Sequence, residues 1–153
     1  MMQNMPAGKF SILIADDDAD DREMLKAAFE ESNIGHNIKF VENGEELLRY
    51  LKRKGSYADD LRHPLPQIIL LDLNMPKKDG REALKEIKTD NYLKRIPVIV
   101  LTTSQEEKDV KKSYELGVNS FIIKPVTFRK LVEFTQTLWK YWFEFVELPN
   151  LHT

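Results

Sequence analysis

The residues best suited to chemistry stand at the ends of short apolar runs. Asp16 and Asp17 follow the run 10–15, Asp72 follows 68–71, Thr102 follows 98–101 and Lys124 follows 121–123. Three carboxylates crowded together repel one another, so something positive must sit among them. Oxygen ligands without histidine or cysteine favour a hard cation, Mg²⁺ before Zn²⁺. Lys124 supplies a mobile positive charge and Thr102 a hydroxyl donor. Together with Mg²⁺ they would neutralise an incoming phosphoryl group, the arrangement needed to make and hold an acyl phosphate on a carboxylate. Each residue also has a plainer reading: Asp72 caps its own loop, Thr102 caps a helix, Lys124 is solvated. A calcium loop starting at Asp16 fails, because Asp21 and Ala27 stand where an EF-hand needs Gly and Glu. The joint placement at successive strand ends favours the chemical reading.

The elements that must position these residues follow from hydrophobic periodicity. The run 68–71 is apolar throughout, too short for a helix and bounded by prolines, so it reads as a central strand buried on both faces. The run 10–15 reads as a buried strand, 98–101 and 121–123 as a fourth and a fifth apolar run, and 38–41 is a shorter, more polar strand suited to a sheet edge. Helical patterns intervene. Met24, Leu25, Ala28 and Phe29 share a face after an N-cap at Asp18, with Asp21 as a weak capping-box partner. Leu47, Leu48 and Leu51 follow an Asn43-Gly44 turn. Ala83, Leu84 and Ile87 mark a third helix, a polar fourth runs over 105–116 to Gly117, and a last one spans about 128–146. Residues 52–66 form a long loop. Five strands alternating with five helices imply an α/β protein: a (βα)5 doubly wound, flavodoxin-like parallel sheet of order 2-1-3-4-5. Ligands bind such sheets beyond the carboxyl ends of the strands, where the candidate residues stand.

Composition sets the limits. A chain of 153 residues predicts one domain that buries a core without disulfides, and there is no cysteine. The formal charge of −2, from 23 basic and 25 acidic residues, gives no bulk attraction to nucleic acid or anionic membrane. No apolar run approaches the roughly 18–20 residues that span a bilayer. Residues 1–8 read as a disordered leader, 9–147 as the folded domain with an extended last helix and 148–153 as a tail, in a soluble cytoplasmic protein.

An ordered set of motifs resembles the response-regulator receiver domain of two-component signalling, of the chemotaxis-regulator type. The set is Ile12-Leu13-Ile14-Ala15-Asp16-Asp17-Asp18, Leu71-Asp72-Leu73-Asn74-Met75-Pro76 with Asp79-Gly80, Leu101-Thr102-Thr103, and Lys124-Pro125. The resemblance implies that Asp72 is the phospho-acceptor. It implies Mg²⁺ on Asp17, Asp72 and the backbone carbonyl of Asn74, with Asp16 reaching it through water. Thr102 and Lys124 would contact phosphoryl oxygens, Phe121 would be the aromatic switch residue, and the Lys124–Pro125 bond is often cis in such domains. The long loop before the third strand and the ending at 143–149 are similar to regulators paired with bacterial phytochromes. The implied function is a stand-alone regulator, not an enzyme beyond its own phosphorylation and slow dephosphorylation. It would accept phosphate from a histidine kinase or phosphotransfer protein and signal by protein contact through the face of the fourth helix, fifth strand and fifth helix.

Three other readings stay open. A phosphatase of the haloacid dehalogenase type also uses a nucleophilic Asp at a strand end, but wants an acid where Asn74 stands. An FMN binder needs a phosphate loop after the first strand, where Asp16, Asp17 and Asp18 would repel it. A receiver that has lost chemistry would serve as a scaffold. The last helix adds an expectation of its own. Apolar residues cover more than one side of it, and Leu138, Trp142 and Phe145 are expected at a homodimer interface.

Overall fold

The computed structural model describes residues 11–34, 38–58 and 62–151. The expected leader, Phe10 and Gly35 lie outside the described residues. Five parallel strands, β1 (Ile12–Ala15), β2 (Ile38–Val41), β3 (Ile68–Leu71), β4 (Val98–Thr102) and β5 (Ser120–Ile123), form one sheet in the order β2-β1-β3-β4-β5. The helices are α1 (Ala19–Glu31), α2 (Gly44–Leu51), α3 (Gly80–Thr89), α4 (Glu107–Leu116) and α5 (Phe128–Trp139). Strands β1, β3 and β4 are buried along their whole length, which is why they read as unbroken apolar runs. Strand β2 lies at the sheet edge, as its more polar sequence predicts, and only Val41 of it is fully buried.

Alternate side chains of the inner strands divide the core in two. Leu13, Ile69, Leu71, Val98 and Val100 meet α2 and α3. Ile12, Ile14, Ile68, Leu70, Ile99 and Leu101 meet α1 and α5. Met24 departs from its expected place: it is 40% exposed, while Leu25, Ala28 and Phe29 of the same helix are buried. The long loop before β3 holds a 3₁₀ turn, Gly55–Ala58, and is stapled to α2. The Tyr50 hydroxyl donates to the Pro64 carbonyl (2.8 Å), the Tyr57 hydroxyl donates to Glu46 (2.8 Å), and His63 stands edge-on to both rings.

The C-terminal end departs most from expectation. The α-helix stops at Trp139 and continues as a π-helical turn, Lys140–Phe145. Leu138, expected at a pairing face, is 5% exposed inside the α1/α5 core. It falls on the inward stripe with Leu131 and Thr135, so it is not available to a partner. Trp139 and Phe143 are buried with ring centroids 4.5 Å apart. The expected tail packs back: Leu148 joins the α1/α5 side and Leu151, 5% exposed, joins the opposite core. Tyr141 and Phe145 stay 56% and 72% exposed. Among the described residues, no helix is long and apolar enough to cross a membrane.

Two glycines let helices touch the loop beyond β3. A Cβ on Gly80 would stand 2.2 Å from the Asp72 carbonyl oxygen, and one on Gly44 would stand 2.1 Å from that of Lys78. Both clashes are with backbone, so neither yields by a side-chain rotation. Gly80→Ala must push α3 away from the backbone that follows β3, and we expect a loss of about 1–3 kcal/mol in urea unfolding, the usual cost of overpacking. An unchanged urea midpoint would show that α3 shifts freely.

Candidate functional site

Parallel register brings the strand-end residues into one cluster. The Asp72 amide donates to the Ala15 carbonyl (3.0 Å), the Asp16 amide to Val41 (3.0 Å) and the Lys124 amide to Thr102 (2.8 Å). Each bond extends the sheet by one step beyond its last apolar residue, so Asp16, Asp72, Thr102 and Lys124 leave the same rim. Asp18 caps α1, accepting from the amides of Asp20 and Asp21.

The Asp72 carboxylate is 6% exposed and held on both oxygens. The fully buried Thr102 hydroxyl donates to Oδ1 (2.8 Å), as does the Asn74 amide (3.2 Å). The Lys124 ammonium lies 3.1 Å from Oδ2 and 2.7 Å from Oδ2 of both Asp16 and Asp21. Burial alone would pull the Lys124 pKa down. The hydrogen bonds to Asp16 and Asp21 and the Asp72 charge outweigh burial, so it stands above the ordinary lysine value. Burial pushes the Asp16 carboxyl up, against the lowering pull of Lys124. Asp16, Asp17 and Asp72 each turn an oxygen to one place, with these atoms within 4.8 Å of one another. Asp17 is the exposed member. One lysine, shared by Asp16, Asp72 and Asp21, leaves the cluster with excess negative charge once Asp17 is added, and an all-oxygen donor set suits a divalent hard cation. The residues therefore fit a metal.

Comparison with known proteins agrees with this geometry. A family model for the response regulator receiver domain matches residues 12–136. The chain belongs to the response regulator receiver family. This receiver is 42% identical over 138 residues to the response regulator Rcp1 of Synechocystis, covering 90% of this chain and 92% of that one. Among solved structures, it is similar to the phosphorylated cyanobacterial phytochrome response regulator RcpA (TM-score 0.84, 40% identity, covering 92% and 99% of the two chains). It is also similar to the Mn²⁺-bound form of Rcp1 (TM-score 0.82, 41% identity, 92% and 99% covered).

Three further placements concern the receiver's expected residues. Phe121 is half-buried, packs against the α2/α3 core and donates its amide to the Tyr114 hydroxyl (3.1 Å). The Lys124–Pro125 bond, which the resemblance makes a candidate for cis, is trans, since there is no cis peptide among the described residues. Trans is the more stable isomer even before proline, by about 0.5–1 kcal/mol. Trp142 is half-buried and Phe145 exposed, both on the π-helical turn.

Sequence reasoning missed two groups. Asp21 reads as a capping residue, yet its carboxylate turns to Lys124, 103 residues away, and no local signal announces it. Arg81 and Asp109 lie in helical stretches whose polar residues carry no individual reading from the sequence. Arg81 instead grips Asp109 with two bonds, Nε to Oδ1 and Nη2 to Oδ2, both 2.7 Å. Asp109 is 4% exposed and also accepts from the Ser104 hydroxyl (2.6 Å). The hydrogen bond from Arg81 holds its pKa at about 2, against a desolvation that would raise it. A carboxyl near 2 in the folded state and about 3.9 in the unfolded state stabilises the fold above pH 4, and that contribution is lost as pH falls through 2. Carboxyl-carbon NMR titration should find Asp109 near 2 in the wild type and close to 4 in Arg81→Met. A value near 4 in the wild type would show that the pair does not hold in solution.

Proposed function

We propose that this receiver accepts a phosphoryl group from a phosphohistidine donor onto Asp72, with Mg²⁺, and signals by phosphorylation-dependent protein contact. The observation that carries this reading is the Asp72 carboxylate itself: buried, held by Thr102 and Lys124 on separate oxygens, and flanked by Asp16 and Asp17. One carboxylate oxygen attacks phosphorus, the P–N bond to the donor imidazole breaks, and the imidazole leaves with that bond's electron pair, neutral because its other ring nitrogen already carries a proton. Negative charge then moves from the carboxylate to the phosphoryl oxygens, where the Lys124 ammonium and the Thr102 hydroxyl are placed to meet it. Asp17, Asp72 and the Asn74 carbonyl would hold Mg²⁺, with Asp16 reaching it through water. When bound, the ion supplies the charge neutralisation that these carboxylates and a phosphoryl group together need.

A cleft of about 250 Å³ opens beside Lys124, lined by Asp21, Met24, Leu25, Leu101, Val126 and Leu131 among others. Met24 and the 94% exposed Val126 give it an apolar lip next to the acceptor, which suits docking of a donor helix. The relatives named for phytochromes support a phytochrome-type histidine kinase as the donor, acting in the cytoplasm. Output through α4, β5 and α5 follows from Thr102 and Phe121: the hydroxyl moves inward to the phosphoryl group and the ring turns into the space it leaves. Protein contact is sufficient for that output; neither nucleic acid nor membrane is required.

Intact-mass measurement after treatment with acetyl phosphate and Mg²⁺ should show one added phosphoryl on the wild type and none on Asp72→Asn. A phosphoryl gained by that variant would remove Asp72 from its role.

The reading includes a homodimer through α5 and the turn that follows it. Phe128, Tyr141 and Phe145 are exposed there beside Trp142, and isologous pairing of one face is the usual way to cover such a patch. Sedimentation should show a dimer at micromolar concentration and a monomer for Phe145→Glu combined with Tyr141→Glu. A wild type that stays monomeric with and without beryllium fluoride would overturn the dimer alone.

A further inference from the structure

Helix α4 is attached to this receiver mainly through polar residues. Its buried residues are Asp109 and Ser113, both polar, and its N-cap residue Glu106 makes no side-chain capping bond. Its apolar contact comes at the far end, where Leu116 packs partly against the core. The first turn is therefore held by polar bonds, and these converge on Asp109.

The bonds form a ring that begins and ends at the acceptor. Asp72 Oδ1 accepts from the Thr102 hydroxyl (2.8 Å), and Thr102 Oγ1 in turn accepts from the Ser104 amide (3.4 Å). The Ser104 hydroxyl donates to Asp109 Oδ2 (2.6 Å), and Arg81 grips both Asp109 oxygens. Arg81 Nη1 then reaches the Leu73 carbonyl and Asn74 Oδ1, each at 3.4 Å, and the Asn74 amide returns to Asp72 Oδ1 at 3.2 Å. Asp79, the N-cap of α3, steadies Arg81 from the side (3.1 Å). The short bonds lie at Asp109 and the long ones at the two junctions with the acceptor loop.

We propose that Arg81 and Asp109 are positioning residues that carry the charge state of Asp72 to the first turn of α4. The proposal rests on Asp72 being the phospho-acceptor. Turning the carboxylate into an acyl phosphate takes negative charge off Oδ1 and gathers it on the phosphoryl oxygens. The Thr102 hydroxyl follows that charge and strains its junction with Ser104. At the other junction the same charge draws the Arg81 guanidinium. Both changes weaken the hold on Asp109, whose burial makes it intolerant of losing its partner. The first turn of α4, with no apolar anchor of its own, then leaves its resting position. The ring thus favours the resting arrangement, and by linkage it opposes ligands at Asp72 as much as they oppose it.

The test uses the full chain as wild type, Arg81→Gln, Asp109→Asn and the double variant. Amide hydrogen exchange over residues 104–113 is read with and without beryllium fluoride plus Mg²⁺, and beryllium fluoride affinity is read by fluorine NMR. In the wild type the mimic should raise exchange in this segment. In each single variant the segment should already exchange at the mimic-bound level, and affinity should rise about fivefold or more, the scale of ordinary allosteric coupling. The double variant should match the singles, because one ring can be cut only once. Exchange in the central strands reports on folding, and should a variant fail there, Arg81→Lys, which keeps the charge and loses the two-pronged grip, should fall between. Wild-type exchange and affinity in all variants, or additive effects in the double, would overturn the proposal. A wild type that binds no beryllium fluoride would instead overturn the acceptor reading, and the ring would still be judged by resting exchange of the segment.

Discussion

One lysine among four carboxylates is the constraint on which this structure depends. Lys124 lies within 3.1 Å of Asp16, Asp21 and Asp72, and Asp17 stands at the mouth of the same cluster. Such a concentration of like charge opposes folding unless a cation is fixed within it. The parallel sheet fixes it. Lys124 follows β5, at one edge of the sheet, and its side chain reaches inward to residues that follow β1 and β3. The remaining excess of negative charge is what makes the site receptive to a divalent cation, and charge neutralised in this way permits a further anion, the phosphoryl group, to arrive.

The rest of the fold makes that rim rigid. Three inner strands are buried on both faces, so the cluster rests on a platform with little freedom to relax. Gly80 and Gly44 admit α3 and α2 to van der Waals contact with the backbone beyond β3, which closes the acceptor loop from the side. On the other face, α1 and α5 pack through a continuous apolar layer that ends in Trp139, Phe143 and the returning Leu148.

Against this rigid background α4 differs in kind. Apolar burial is non-directional and survives small displacements. Hydrogen-bonded ion pairs depend steeply on geometry. A helix held at one end by Arg81, Ser104 and Asp109 is therefore sensitive to the chemistry of its neighbours in a way that α1 and α5 are not. The difference places responsiveness on the side of the sheet that bears Phe121 and Tyr114, whose amide–hydroxyl bond links β5 to α4.

The sequence by itself determined the sheet order and the cluster of residues at the strand ends. Parallel strands end at one rim, and the polar residue that closes an apolar run stands there whether the strand is buried, like β1, β3 and β4, or at the edge, like β5, so Asp16, Asp72, Thr102 and Lys124 were legible from run ends alone. The edge position of β2 was legible from its shorter, more polar sequence, and the end of α4 from Gly117, which adopts a left-handed conformation (φ 106°). Tertiary structure decided what side chains on helices do. Asp21 and Asp109 have the same local signature as any solvated helix acid; their partners, Lys124 and Arg81, are 103 and 28 residues away. The stripe on α5 showed how much apolar surface exists, but not which part the domain keeps: Leu138 and Phe143 turn inward while Tyr141 and Phe145 do not. A π-helical turn sets that division by rotating the last residues relative to the α-helical period, and no residue type in that segment announces such a turn.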